Sequence, residues 1–379
     1  MNQPSPDSGF SQKLIAWSRK NGRFNLPWQI KVIPYTVWVS EIMLQQTQVN
    51  TVIPFFNRFI QRFPQITELA QAREDEVLHY WTGLGYYSRA RNLHKTAQYI
   101  VNCLNGEFPK DVEKLSSLPG IGRSTAGAIV ALAYNKKAPI LDGNVKRVLS
   151  RVFAVEGYPG LSHVSKQLWE LSEKLCPTKD VALYTQAIMD LGATICTRKN
   201  PRCTECPFVN QCLARRQDDI SRYPGTRPGK KLPVRSSVLI IIQNQGNEIL
   251  LERRPTRGIW GGLWGFPELP SHEFIDNYLS LFLGLLPEQI ISTTELGTHR
   301  HTFTHFHLDA ARLLVNVNLA SCIDYEANDN VSAYDANKSV PTPGVEINRE
   351  NLLWFHPTSE NKIGISAPVS NWLAEKTDG

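Results

Sequence analysis

Residues 196–212 read CTRKNPRCTECPFVNQC, and four of the seven cysteines in the chain stand there as Cys196, Cys203, Cys206 and Cys212, separated by gaps of six, two and five residues. The opening residues, MNQPSPDSGF, lack the basic and apolar regions of a secretory signal. Clustered cysteines in such a chain are more often metal ligands than disulfide partners. Thiolate ligation suits zinc or an iron-sulfur cluster, and the donor atoms alone leave both open. Cys103, Cys176 and Cys322 are scattered and read as small buried residues.

Outward from this cluster the charge is uneven. Residues 1–230 hold 30 Lys and Arg against 18 Asp and Glu, net +12, whereas residues 231–379 hold 11 against 17, net −6. A basic half of this kind faces a polyanion, most commonly nucleic acid, unless it is simply a solvated surface. At 379 residues two domains are expected, and 42% hydrophobic with 20% charged residues excludes disordered and collagen-like classes. The longest apolar runs, 238–242 and 279–286, fall far short of the ~20 residues that span a bilayer. From 14 to 196 apolar residues recur at helical spacing between turn signals. The stretch SRYPGTRPGKKLPVR (221–235) has linker composition. Beyond it, 238–242 and 248–252 read as a hairpin, 276–286 as a helix, 302–308 as a strand and 324–345 as a polar loop, so the second half is α+β. The expected division is a helical domain over 1–222 with its loop at 196–212, a linker at 223–235 and a second domain over 236–379.

Leu118-Pro119-Gly120-Ile121-Gly122 lies between helical runs. Two glycines there allow a tight turn that exposes backbone N–H groups beside a helix N-terminus, which is an anion site. Such contacts position a protein on DNA without reading sequence. An ordinary helix-helix turn has the same composition.

Two carboxyls attract notice. Glu41 sits in the apolar stretch 35–49, where burial disfavours its charged form and suits it to general acid work. Asp142 stands at the head of a helix that Asn144 is placed to cap, where the positive helix end and nearby basic residues are expected to keep it ionised. Carboxyls pushed in opposite directions form an acid and an anion, as glycoside cleavage requires. Taken singly, each also reads as structural: a buried glutamate with a hydrogen bond, and an N-cap.

The stretches 40–49 (SEIMLQQTQV), 83–87 (GLGYY), 118–125 (LPGIGRST) and 141–148 (LDGNVKRV), with the cysteine spacing, resemble the MutY-type adenine DNA glycosylases of the endonuclease III-like helix-hairpin-helix superfamily over nearly the whole chain. The resemblance implies an all-helical helix-hairpin-helix glycosylase domain with an iron-sulfur cluster loop, followed by a Nudix-like α+β domain. It implies one [4Fe-4S] cluster on Cys196, Cys203, Cys206 and Cys212, and a cluster this close to Arg198, Lys199, Arg202, Arg215 and Arg216 is expected mainly to hold a basic loop against phosphates. It implies Glu41 as the acid that protonates the purine at N7, Asp142 as the anion facing C1′, and Asn144 as a residue that orders the site. Gln45 and Tyr86 are implied to insert near the opposite base, and Leu118, Gly120, Gly122 and Ser124 to lie on the DNA. Ser124 stands where bifunctional relatives carry the lysine that forms a Schiff base. The implied activity is monofunctional: hydrolysis of the N-glycosidic bond of adenine mispaired with 8-oxoguanine or guanine in duplex DNA, leaving an abasic site in base excision repair. A monomeric, cytoplasmic protein acting on the nucleoid is expected. The competing readings are a lyase acting on oxidised pyrimidines, which Ser124 opposes, and a non-catalytic DNA binder.

Residues 236–375 resemble the same family's C-terminal domain, related to Nudix pyrophosphatases. The Nudix R-E-x-x-E-E run is missing from 270–277 (PSHEFIDN), so pyrophosphatase activity is not expected. Where the family carries a Phe-Ser-His loop that checks for 8-oxoguanine, this chain has Phe303-Thr304-His305, and threonine keeps the hydroxyl. The histidines of 301–307 alone also suit an exposed strand or a zinc site.

Overall fold

The computed structural model describes residues 9–227, 229, 231–318, 351–359 and 362–377. The 324–345 stretch and Cys322 lie outside the described residues. The chain divides into two compact units, one up to Gly229 and one from residue 230. Among the described residues no helix is long and apolar enough to cross a membrane.

The first unit is built from helices. At its centre Pro34–Leu44 (PYTVWVSEIML), with Val37, Trp38, Val39, Ile42 and Met43 buried, packs against Arg123–Tyr134 (RSTAGAIVALAY). Small residues permit the close approach around the second of these helices, since a Cβ on Gly127 would fall 2.5 Å from the carbonyl oxygen of Pro139. The Val181–Asp190 helix covers the same helix and also packs on Phe10–Asn21. The unit is closed by its ends: Phe10 stacks on Phe208 at 4.2 Å, and Lys13 Nζ donates to Gln211 Oε1 at 2.6 Å.

After Val181–Asp190 the chain widens into a π-helical turn, Leu191–Ile195. Buried Asp190 anchors its start, accepting from Arg23 Nε at 2.8 Å, Nη2 at 2.6 Å and the Arg23 backbone N–H at 2.9 Å. Such turns favour functional sites, and this one presents Gly192 to the Gly143–Val152 helix. A Cβ there would lie 2.6 Å from Asn144 Cβ, so the position admits only glycine without displacement.

The second unit is a mixed sheet with the path β3 (Trp264–Gly265), β2 (Ile249–Arg253), β1 (Val234–Asn244), β6 (His307–Val317), β5 (Ile290–Thr302). β4 (Glu268–Leu269) adds to β1, and β7 (Leu352–Phe355) to β2. β1 and β6 run parallel from Val234 opposite His307 to Asn244 opposite Val317, and the other pairings are antiparallel. Val238, Ile240 and Ile242 share a buried cluster with Leu313, Val315 and Val317, covered by Tyr278 and Leu279. The Ala367–Thr377 helix sets Trp372 edge-on to Phe266 at 6.0 Å.

Several local expectations need correction. The 223–235 linker is ordered at both ends: Tyr223 is buried with its carbonyl accepting from Arg151 Nε at 2.9 Å, and β1 begins at Val234. The helix containing Glu41 ends at Leu44, and the next begins at Val49. The 302–308 stretch is a hairpin turn, because β5 ends at Thr302, β6 starts at His307, and the Phe303 N–H donates to the Phe306 carbonyl at 2.9 Å. Cys103 is exposed at the end of Ser88–Cys103, whereas Cys176 is buried.

The Gly192 contact makes a test of the packing. Gly192→Ala should cost about 1–3 kcal/mol through overpacking, seen as a lower urea midpoint at unchanged slope. Gly229→Ala, at an exposed position that meets nothing within 4 Å, should leave the midpoint in place. Equal midpoints for the two variants would refute the contact.

Candidate active site and cysteine cluster

Glu41 lies on the last full turn of Pro34–Leu44. The residue is only half-buried by surface, yet its carboxyl is enclosed by protein, and the pKa is raised to about 8. Desolvation is the main cause, and the charge of Asp142 adds to it. The carboxyls of Glu41 and Asp142 are therefore close enough to repel.

Asp142 is itself the N-cap of Gly143–Val152, its Oδ1 accepting from the Val145 N–H at 2.7 Å. Asn144, expected to cap this helix, instead donates from Nδ2 to Asp142 Oδ2 at 3.3 Å. Enclosure raises the Asp142 pKa, opposed by the Val145 N–H, the Arg147 guanidinium and Asn144. Desolvation thus exceeds the helix end and the Arg147 guanidinium, the groups expected to favour the charged form of Asp142, and its pKa lies above the usual carboxylate range. The order of the pair is still set: Asp142 has donors for its charge, and Glu41 takes the repulsion, so Asp142 ionises first.

Arg147, one turn along the helix, ties this arrangement to the cysteine loop. Its Nη2 donates to Asn144 Oδ1 at 2.8 Å and to the Gly192 carbonyl at 2.7 Å, while Nε donates to the Cys196 carbonyl at 2.6 Å. On the other side Ser124 Oγ accepts from the Leu141 N–H at 2.9 Å. Ser124 thereby fixes the residue before Asp142, and it brings no amine to the site.

In the 118–122 hairpin Leu118 and Ile121 are buried while Pro119, Gly120 and Gly122 are exposed, so this segment offers backbone outward and the Leu118 side chain inward. Gly120 has φ +77°, and a Cβ there would meet Asn92 Cβ at 2.8 Å. The Pro119 carbonyl accepts from Thr96 Oγ1 at 2.9 Å, and Gly122 caps Arg123–Tyr134.

Gln45 and Tyr86 come from different loops. Gln45 follows the Glu41 helix, with Nε2 donating to Thr125 Oγ1 at 3.3 Å. Tyr86 is 43% exposed and left-handed at φ 50°, an uncommon conformation for a bulky residue. Tyr87 is half-buried, its hydroxyl accepting from the Gly83 N–H at 3.2 Å. Arg89, buried with its pKa lowered to about 10 by desolvation, lies between these loops. Sequence reasoning missed it, because an arginine in SRAR reads as one more surface cation.

The four cysteines line one cavity with Val148, Leu191, Ile195 and Arg151. Arg151 Nη1 is 3.4 Å from Cys196 Sγ and donates to the Thr197 carbonyl at 2.6 Å. Burial pushes the Cys203 and Cys212 thiols up and Cys206 to about 12, with mutual repulsion adding to each. Such a group of thiols is best relieved by binding cationic metal. Among the described residues no set of three or more His, Cys, Asp or Glu is drawn together around a single metal ion. Four sulfurs spaced round a cavity, with an arginine beside them, fit a multi-iron cluster in donor type and number.

In the second unit Phe303, Thr304 and His305 form the tip of the β5–β6 hairpin. Phe303 stacks on Phe306 at 5.0 Å, tilts against His301 at 4.5 Å and meets the edge of Trp260 at 5.3 Å. Arg235 lies 4.5 Å over the Phe306 ring. Thr304 and His305 remain exposed.

Residues 39–174 match the family described as HhH-GPD superfamily base excision DNA repair protein, and residues 237–375 match the NUDIX domain. The chain is 41% identical over 368 residues to an adenine DNA glycosylase of Buchnera aphidicola subsp. Acyrthosiphon pisum, covering 96% of each. It is 34% identical over 361 residues to a human adenine DNA glycosylase, covering 79% of this chain and 66% of that one. A solved structure of a thermostable thymine-DNA glycosylase covers 56% of this chain and 97% of its own, at 27% identity and TM-score 0.51. With the two units and their sites in place, these likenesses show that the chain belongs to the adenine DNA glycosylase family of base excision repair enzymes.

Proposed function

We propose that the chain is a monofunctional glycosylase that removes adenine mispaired with 8-oxoguanine or guanine from duplex DNA. The observation that carries this reading is the pairing of Glu41, a desolvated carboxyl with pKa about 8, with Asp142, a carboxylate supplied with donors that loses its proton first. The pair is thereby biased toward one acid, Glu41, and one anion, Asp142, whose charge has the donors. The target adenine leaves the stack at a cost of a few kcal/mol, least at a mispair. Glu41 passes its proton to the purine N7, the N-glycosidic bond breaks with oxocarbenium character, and Asp142 stabilises C1′. Asn144, clamped by Arg147, keeps the Asp142 carboxylate aimed. Water then adds at C1′, leaving free adenine and an abasic site. Ser124 supplies a hydroxyl bonded to backbone in place of an amine, so no Schiff base forms.

Gly120, Gly122 and the backbone about Leu118 hold phosphate without reading sequence. Cys196, Cys203, Cys206 and Cys212 hold one [4Fe-4S] cluster, which organises the loop carrying Arg198, Lys199 and Arg202. The exposed Thr304 hydroxyl and His305, raised on the Phe303 aromatic support, read the base opposite adenine. The protein works as a monomer in the cytoplasm, on nucleoid DNA.

Three outcomes test this reading. Glu41→Gln should slow single-turnover excision by about 100-fold or more while duplex binding persists, and the native rate should fall as pH rises through about 8 and Glu41 loses its proton. Normal turnover by Glu41→Gln would remove Glu41 from the role of acid, and binding without excision by the native protein would leave a DNA binder. Elemental analysis of the protein purified without oxygen should find about four irons and four sulfides per chain, whereas a colourless four-thiolate zinc protein would overturn the cluster assignment. Thr304→Ala should lower the preference for adenine opposite 8-oxoguanine over guanine by roughly 2- to 10-fold, the worth of one hydrogen bond, with Thr304→Ser close to native. An unchanged preference removes the hydroxyl from the recognition step.

A further inference from the structure

Arg89 is the most heavily bonded side chain that the reaction leaves without a role. It is buried on the Ser88–Cys103 helix, and its Nη1 donates to the carbonyls of Ile42 at 2.8 Å, Met43 at 2.8 Å and Gln45 at 2.7 Å. These carbonyls close the helix that carries Glu41, and a cation is the group a helix C-terminus favours. From its other nitrogen, Nη2, the same guanidinium donates to the carbonyls of Leu84 at 3.3 Å and Gly85 at 3.1 Å and to Thr47 Oγ1 at 3.3 Å. Its plane lies 5.5 Å from the Tyr86 ring centre and 5.4 Å from that of Trp81. One rigid fork thus ends the Glu41 helix at Leu44, turns Gln45 out of it, and holds the 84–86 turn in which Tyr86 is left-handed.

We propose that Arg89 is a positioning residue for base extrusion, setting Gln45 and Tyr86 at a fixed separation so that both enter the duplex together. The inference rests on the reading that those two side chains insert beside the opposite base. Lysine has a single point of donation and cannot hold carbonyls on two segments in one plane. Displacement of about an ångström at such a pair costs about 100-fold in rate. The cost falls on extrusion, so it is relieved where the adenine has no partner to be separated from.

The test compares single-turnover excision by Arg89→Lys on adenine opposite guanine and on adenine opposite an abasic analogue. The expected result is a loss of about 100-fold on the mispair and a loss several-fold smaller opposite the abasic analogue, at unchanged dependence on pH. Equal loss on both substrates would reduce Arg89 to a scaffold residue and overturn the proposal. Should Arg89→Lys fail to fold, Gln45→Ala, Tyr86→Ala and the double variant decide the matter on the mispair. The Gln45 backbone and the Tyr86 turn are set by one guanidinium, so the two side chains act as a unit and the double variant should be little slower than the worse single one. Two slow single variants whose effects multiply would overturn the role of Arg89. Two single variants of native rate would instead show that these side chains do not insert, and the proposal falls with that reading.

Discussion

The guanidinium of Arg147 is the constraint on which the site rests. It joins the π-helical turn through the Gly192 carbonyl, the cysteine loop through the Cys196 carbonyl, and Asp142 through Asn144. The π-helical turn runs directly into Cys196, whereas Arg147 reaches Gly192 and Cys196 from 45 and 49 residues away. The contact also needs the bare backbone of Gly192, since any side chain there would push on Asn144 before Arg147 reached its acceptors. A change in how the cysteine loop is held therefore reaches Asp142 through three hydrogen bonds, from Cys196 to Arg147, from Arg147 to Asn144 and from Asn144 to Asp142.

The electrostatics of the pair follow from that rigidity. Burial raises both carboxyls, and what separates their roles is the supply of donors: the Val145 N–H and Asn144, backed by Arg147, serve Asp142, while Glu41 faces the charge of its neighbour. A helix N-terminus is one contributor among these. The acid is consequently defined by what it lacks, and the helix that carries it contributes apolar surface on nearly every side.

Much of this was legible in the sequence because short motifs carried it. The cysteine spacing, LPGIG and LDGN each place their chemistry within a few residues, and the structure sets the four cysteines around one cavity and Asp142 at a helix head as such local signals require. What was not legible depends on distant partners. The end of the helix at Leu44 is enforced by Arg89, 45 residues away, against an apolar pattern that runs on through Val49. The 302–308 stretch reads as a strand, yet Phe303 and Phe306, three residues apart, stack on each other across a turn. Tyr223 carries linker neighbours on both sides yet is buried under a bond from Arg151. The Asp142 pKa turns on enclosure by the whole unit, which no local pattern encodes.

The stacking of Phe10 on Phe208 joins residues almost two hundred positions apart, and the Phe10–Asn21 helix finds its cover on Val181–Asp190. During synthesis the Pro34–Leu44 and Arg123–Tyr134 helices can pack long before that cover exists, because their contacts close over shorter loops. The Phe10–Asn21 helix is thus fully covered only once the chain has reached Phe208. Phe208 stands between Cys206 and Cys212, so whatever displaces the Phe10–Asn21 helix also uncovers the cysteine loop.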